Sequence, residues 1–94
     1  NKPVATGRFR VQEDCIKFER IATLKPFRGK GIATQLMKEM QRVAQEKYPS
    51  FQMMMYAQVV AFPFYLKLGW TFEGERFYEA GIEHQKMVFL QPDL

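Results

Sequence analysis

The sequence predicts an α/β fold whose mixed sheet contains one β-α-β crossover, and three observations carry that prediction. Ile16 to Leu24 is an apolar-rich run of strand length, and the glycine-containing turn Arg28-Gly29-Lys30-Gly31-Ile32-Ala33 follows it. Between Ile32 and Tyr48, the residues Ile32, Leu36, Met40, Val43 and Ala44 recur at helical spacing and form one apolar stripe. Beyond Pro49, Phe51 to Ala57 is a second short apolar run, best read as a buried strand. Strand, helix and strand in this order imply a right-handed parallel crossover.

The remaining elements follow in order. Val4 to Gln12 reads as a strand, with Phe9 and Val11 on one face and Arg8, Arg10 and Gln12 on the other. Gln12 to Asp14 reads as a hairpin turn, which makes Ile16 to Leu24 antiparallel to the first strand. In that second strand Ile16 and Phe18 share a face, yet the next large apolar residue, Ile21, is out of phase by one. A β-bulge near Glu19-Arg20 would restore the alternation; a central strand apolar on both faces accounts for it equally well. On the helix, Lys38, Gln41, Arg42, Gln45 and Glu46 fall on the wet side. Val60 to Leu68 reads as a short helix with Pro63 in its first turn and Gly69 at its C-terminal cap. Trp70 to Arg76 and Gln85 to Gln91 read as strands joined by a loop around Glu79-Ala80-Gly81. No repeat, low-complexity segment or internal linker interrupts the chain, so residues 1–94 are expected to form a single domain.

Composition narrows the function classes. A hydrophobic fraction of 47%, with nine Phe, four Tyr and one Trp, can supply one core. No apolar run approaches the roughly 18 residues of a membrane span. The start of the chain lacks the charged, apolar and small-residue order of a secretion signal. Cys15 is the only cysteine, so no internal disulfide forms, and a reducing cytoplasm is the expected location. A net charge of +4 admits a basic nucleic-acid-binding module as one alternative, but there is no long Lys/Arg cluster and no basic–aromatic alternation. A polyanionic small molecule accounts for the charge as well. No metal site is expected.

The turn at residues 28–33 is the feature with chemical content. A glycine-rich turn that enters a helix N-terminus aims several backbone N–H groups into one space, which suits a phosphate or pyrophosphate. It is not a Gly-x-x-x-x-Gly-Lys-Ser/Thr loop, and Thr34 stands where a dinucleotide fingerprint needs its third glycine. Arg28-Gly29-Lys30-Gly31-Ile32-Ala33 fits Gln/Arg-x-x-Gly-x-Gly/Ala at every position. That pattern resembles the pyrophosphate loop of the GNAT superfamily of acetyl-coenzyme A-dependent N-acetyltransferases. Phe64-Tyr65 with Gly69-Trp70 resembles a second block of that superfamily, Phe-Tyr-x-x-x-Gly-Phe/Trp. Gly81-Ile82-Glu83-His84-Gln85-Lys86-Met87 resembles the Gly-Ile-Pro-His-x-x-Met tail of the ElaA-type branch, with Glu83 in place of Pro, and Ala57-Gln58 also suits that branch. The resemblance runs from about Lys2 to Phe89. It places the N-terminal third of the usual domain outside this chain, so that the chain is expected to be the C-terminal two-thirds, a fragment or a subunit.

The resemblance implies a GNAT fold, truncated at the N-terminus, and acetyl-coenzyme A as co-substrate. It implies acetyl transfer to a primary amine by direct attack through a tetrahedral intermediate. The alternative is a GNAT-fold module that binds acyl-coenzyme A without turnover. By resemblance the crossover strands splay, and the pantetheine arm pairs with backbone at Ile21, Ala22 and Thr23 as an added strand would. The loop residues Arg28, Gly29, Lys30, Gly31, Ile32 and Ala33, with the Thr34 hydroxyl, would take the pyrophosphate. A backbone N–H near Ile21 or Ala22 would donate to the oxyanion. Tyr65 is the candidate acid beside the sulfur. A tyrosine near pKa 10 is a weaker acid than a thiol, so hydrogen-bond donation to the developing thiolate describes its role better than full proton transfer; a core aromatic beside Phe62 and Phe64 is the competing reading. Glu19 and His84 are the candidate bases, Glu19 by analogy with strand glutamates in some GNATs and His84 because neutral imidazole accepts a proton near pH 7. An exposed strand glutamate, a structural histidine and an ordered water remain open beside them. Arg8, Arg10 and Arg20 orient an acidic acceptor or are solvated charges, and solvation is the expectation for Arg10. The acceptor amine is not identified. Pairing through the first strand's open edge, as in a homodimer, is a further expectation.

Overall fold

The computed structural model describes residues 5–23 and 31–89. Two antiparallel strands, β1 (Ala5–Gln12) and β2 (Cys15–Thr23), precede helix α1 (Ile32–Lys47) and strand β3 (Gln52–Gln58). A 3₁₀ turn (Val59–Ala61) leads into α2 (Phe62–Lys67), followed by β4 (Trp70–Phe72), β5 (Phe77–Glu79) and β6 (Ile82–Phe89). The sheet order is β1-β2-β3-β6-β4, with β5 paired to β6. β2 and β3 are the parallel pair that flanks α1, as the strand–helix–strand order predicts.

The phase slip in β2 is a bulge. Arg8 pairs with Glu19, but the next pair is Thr6 with Ala22, so Gly7 faces both Arg20 and Ile21. The extra residue returns Ile21 to the face of Ile16 and Phe18, where it packs against the core. A Cβ on Gly7 would lie 2.6 Å from Ile21 Cδ1 and 3.1 Å from Met40 Sδ, so the ends of these two side chains close over β1 where glycine leaves space and would have to shift to admit a larger residue.

The core lies between the sheet and α1. Ile16, Phe18, Met37, Met40, Ala44, Met53, Met55 and Met87 are buried there with Trp70. Two details depart from the sequence reading of α1. Met37 is fully buried beside the expected stripe, and Gln41, expected on the wet side, is 8% exposed. The cause is Trp70: its indole N–H is buried and donates to Gln41 Oε1 at 3.1 Å. A buried donor needs an acceptor, and Gln41 supplies it across the helix–sheet interface. Gln41→Leu keeps the approximate volume and removes the acceptor. It is expected to cost about 1–3 kcal/mol, seen as a melting point several degrees lower; an unchanged melting point would show that the bond adds no net stability.

The C-terminal strands also differ from expectation. The strand predicted for Trp70 to Arg76 stops at Phe72, because the chain leaves the ladder at Glu73. Glu73 still donates its N–H to Lys86 O at 3.0 Å, and Gln85 Nε2 donates to Gly74 O at 2.7 Å, so β6 holds the departing loop. The chain re-enters as β5, and Glu79 pairs with Ile82 across a two-residue turn at Ala80–Gly81. β6 therefore begins three residues earlier than the sequence pattern indicates and covers Ile82–Phe89.

Candidate active site

β2 and β3 part company halfway along. Cys15, Ile16 and Lys17 pair with Gln52, Met53 and Met54, and the pairing ends there among the described residues. β2 continues to Thr23 bound to β1, while β3 continues to Gln58 bound to β6. The sheet is thus cleft into two lobes beyond Lys17 and Met54, and the bulge, with its added twist, sits on the β2 side of the cleft.

A cavity of about 270 Å³ fills this cleft. Its β2 wall is Phe18, Glu19 and Ile21; its β3 wall is Met55, Tyr56, Ala57 and Gln58; Ala61, Tyr65 and His84 complete it. Alternation along the strands sorts these groups onto two faces. Phe18, Ile21, Met55 and Ala57 point to the face that carries α1, where Tyr65 packs near Trp70 with ring centroids 6.4 Å apart. Glu19 belongs to the opposite face with its partner Arg8, and Gln58 stands directly across from His84. The cavity therefore passes through the sheet between Tyr65 on one side and Glu19 and His84 on the other. All three residues singled out for catalysis line it, although they come from β2, α2 and β6.

The environment of each group limits its chemistry. Tyr65 is 8% exposed, and burial pushes its phenol above the ordinary tyrosine range. It holds its proton firmly and is an O–H donor across the neutral pH range. No side-chain hydrogen bond occupies its hydroxyl among the described residues. The Glu19 carboxyl is pulled two ways: burial raises its pKa, but Arg10, Arg8 and Lys17 together outweigh burial and hold it below the usual carboxylate range. Arg8 Nε donates to its Oε1 at 3.0 Å, Arg10 Nε lies 3.1 Å from the same oxygen, and Lys17 Nζ is 3.9 Å from Oε2. A carboxylate so compensated is a weak proton acceptor. Arg10, expected as a solvated charge, is part of this cluster. His84 has Nδ1 2.8 Å from Ile82 O and its ring stacks on Phe77 at 5.7 Å. A carbonyl only accepts, so Nδ1 carries the proton and Nε2 of the neutral ring keeps its lone pair.

Beyond the C-terminal end of β2, the glycine-containing turn expected to hold a pyrophosphate is described from Gly31 onward. Arg28, Gly29 and Lys30 lie outside the described residues. Gly31 caps α1 in the left-handed region, φ 75° and ψ 5°. Gln35 N–H is bonded to Gly31 O at 3.0 Å, so the N–H groups of Ile32, Ala33 and Thr34 precede the first helical bond and lack intrahelical partners. Among the described residues no side chain caps them, and the first turn contains no acid. Ile21 lines the cavity, whereas Ala22 and Thr23 extend β2 beyond it, paired with Thr6 and Ala5. Phe18, Met55, Tyr56, Gln58 and Ala61 are cavity residues without an assigned role in the sequence reading. Only the end of the β2–β3 pairing identifies them.

Among the described residues, no group of three or more His, Cys, Asp or Glu side chains could hold a metal ion. No described helix is long and apolar enough to cross a membrane.

Comparison with known proteins bears on the fold and the family. The chain is 38% identical over 88 residues to YjcF, an uncharacterized N-acetyltransferase of Bacillus subtilis, covering 93% of this chain and 62% of YjcF. Its fold matches Escherichia coli ElaA with a TM-score of 0.84 at 23% identity, over 93% of this chain and 60% of ElaA. It also matches a GNAT family acetyltransferase from Elizabethkingia anophelis with acetyl-CoA bound, TM-score 0.72 at 19% identity, over 94% of this chain and 67% of the other. The chain thus spans about 60% of the length of YjcF and of ElaA. The sequence model of the acetyltransferase (GNAT) domain matches residues 1–90, and the chain belongs to that family.

Proposed function

We propose that this chain moves an acetyl group from acetyl-coenzyme A to a primary amine. The observation that carries this reading is the through-sheet cavity, with a buried phenol on one side and an imidazole and a carboxylate on the other. Such an arrangement separates a donor to a leaving group from a site for an incoming nucleophile. The chain's own groups fit the co-substrate. The first-turn N–H groups of α1, uncapped among the described residues and with no acid in the turn itself, suit a pyrophosphate. The unpaired edges of β2 and β3 beyond Lys17 and Met54 suit the amides of a pantetheine arm. When bound, acetyl-coenzyme A supplies an activated thioester carbonyl.

The remaining roles belong to side chains. His84 Nε2 accepts the proton that the amine must lose, and the Ile82 carbonyl fixes the tautomer that makes this possible. Glu19 stays ionised and orients the groups at the mouth rather than acting as the base. Tyr65 holds its proton and donates a hydrogen bond where the thiolate develops. Phe18, Ile21 and Met55 keep water from the acyl group.

Titration calorimetry with acetyl-coenzyme A, followed by mass spectrometry of an amine panel, tests the reading. Saturating co-substrate at about 100 times Kd is expected to stabilise the protein by about 2.7 kcal/mol, with acetylated amine accumulating. Binding without turnover on any amine would favour the non-catalytic acyl-coenzyme A-binding module. Absence of binding would overturn both.

A further inference from the structure

Two guanidinium groups beside the cavity are tied to one carboxylate oxygen. Arg8 Nε and Arg10 Nε lie 3.0 and 3.1 Å from Oε1 of Glu19, and Lys17 Nζ approaches Oε2. The register accounts for the cluster: Arg8 faces Glu19 and Arg10 faces Lys17 across β1 and β2, all on the sheet face opposite α1. Three cations around one anion leave this rim positive.

The two arginines are not consumed by Glu19. Each approaches it through Nε, and among the described residues no other ion pair engages either guanidinium. A guanidinium carries five N–H donors in a planar fork, so the Nη groups of both remain available. Their side chains are 54% and 53% exposed, while Glu19 between them is 17% exposed. Glu19, itself a cavity-lining residue, thus offsets the repulsion between two adjacent cations and holds two forks beside it. No other acid lines the cavity among its described residues, so nothing in the wall cancels the excess.

We infer that the acceptor amine carries an anionic group, which Arg8 and Arg10 bind at the rim while the amine nitrogen enters the cavity past Glu19. This rests on the acetyl-transfer reading above. Polyamines and lysine-rich peptides meet a positive rim and are poor acceptors. L-Aspartate, its diamide and spermidine serve as probes, because the first two share a skeleton and differ in charge.

Two measurements are made: kcat/KM with acetyl-coenzyme A, and equilibrium binding of aspartate and its diamide by NMR titration of the coenzyme A-saturated protein. Aspartate is expected to bind about tenfold more tightly than the diamide at low ionic strength, with the ratio shrinking as salt is added. Replacing both arginines, Arg8→Gln with Arg10→Gln, is expected to abolish the ratio by raising KM rather than lowering kcat. Arg8→Lys with Arg10→Lys, which keeps the charge and loses the forks, should retain part of it. Lys38→Gln removes one charge from the exposed face of α1 and should leave the ratio intact. Equal binding of the two probes, preference for spermidine, or a ratio that survives the double glutamine variant overturns the inference. If acetyl-coenzyme A binds and the probes bind equally, only the acceptor assignment fails. If acetyl-coenzyme A does not bind, the transfer reading fails and this inference with it.

Discussion

Tyr65→Phe is expected to lower turnover by about 10²–10⁴, the usual loss when a positioned proton donor is removed, with little change in acetyl-coenzyme A affinity. The ring would keep its contacts with Phe64 and Trp70, so the cavity wall should stay in place. What is lost is the one phenolic O–H that the described residues place on the α1 side of the cleft. Burial raises the Tyr65 pKa, which weakens it as a Brønsted acid but keeps the donor present well into alkaline solution. The same shift gives a second readout. A folded-state pKa above the unfolded value contributes stability that is fully present below the unfolded pKa and is lost as pH rises through the folded one. Wild type should therefore lose stability above about pH 10 more steeply than Tyr65→Phe. A full rate for the variant with a competent amine would return Tyr65 to core packing. Parallel alkaline melting curves would show that burial does not perturb it.

The parts of the fold that were legible in the sequence are those where local periodicity and packing agree. The phase slip between Phe18 and Ile21 can be read in β2 because both side chains must reach the same core. The span of α1 follows from its stripe for the same reason. The burial of Gln41 escapes local periodicity because its partner, Trp70, is 29 residues away, and no local pattern announces a buried indole that needs an acceptor. β4 ends at Phe72, and the chain beyond it is held by Lys86 O and Gln85 Nε2 at Glu73 and Gly74, contacts that local periodicity does not announce. The site shows the same division. Glu19 and Tyr65 stood out through the family resemblance and His84 through its imidazole, each singly. That they line one cavity depends on where β2 stops pairing with β3, and alternation within either strand does not encode that point. Gln58 and Met55 became site residues only through that register.

Gly31→Asp is expected to weaken acetyl-coenzyme A binding by about 2–3 kcal/mol, roughly 30- to 150-fold in Kd, the size of a unit charge held about 5 Å from an anion at a protein surface. The argument separates charge from shape. Gly31 sits at φ 75°, a region that Asp and Asn tolerate better than other side chains. A Cβ built there meets no described atom within 4 Å. An acidic residue beside a helix N-terminus also interacts favourably with the macrodipole, so α1 itself should not be lost. The penalty is therefore directed at the ligand: the carboxylate competes for the N–H groups of Ile32, Ala33 and Thr34 and repels the pyrophosphate. Gly31→Asn has the same shape without the charge and should cost much less. Calorimetry on the wild type and both variants decides the matter. Equal affinity for wild type and Gly31→Asp would place the phosphates elsewhere, and equal losses for Asp and Asn would trace the effect to backbone strain instead of charge.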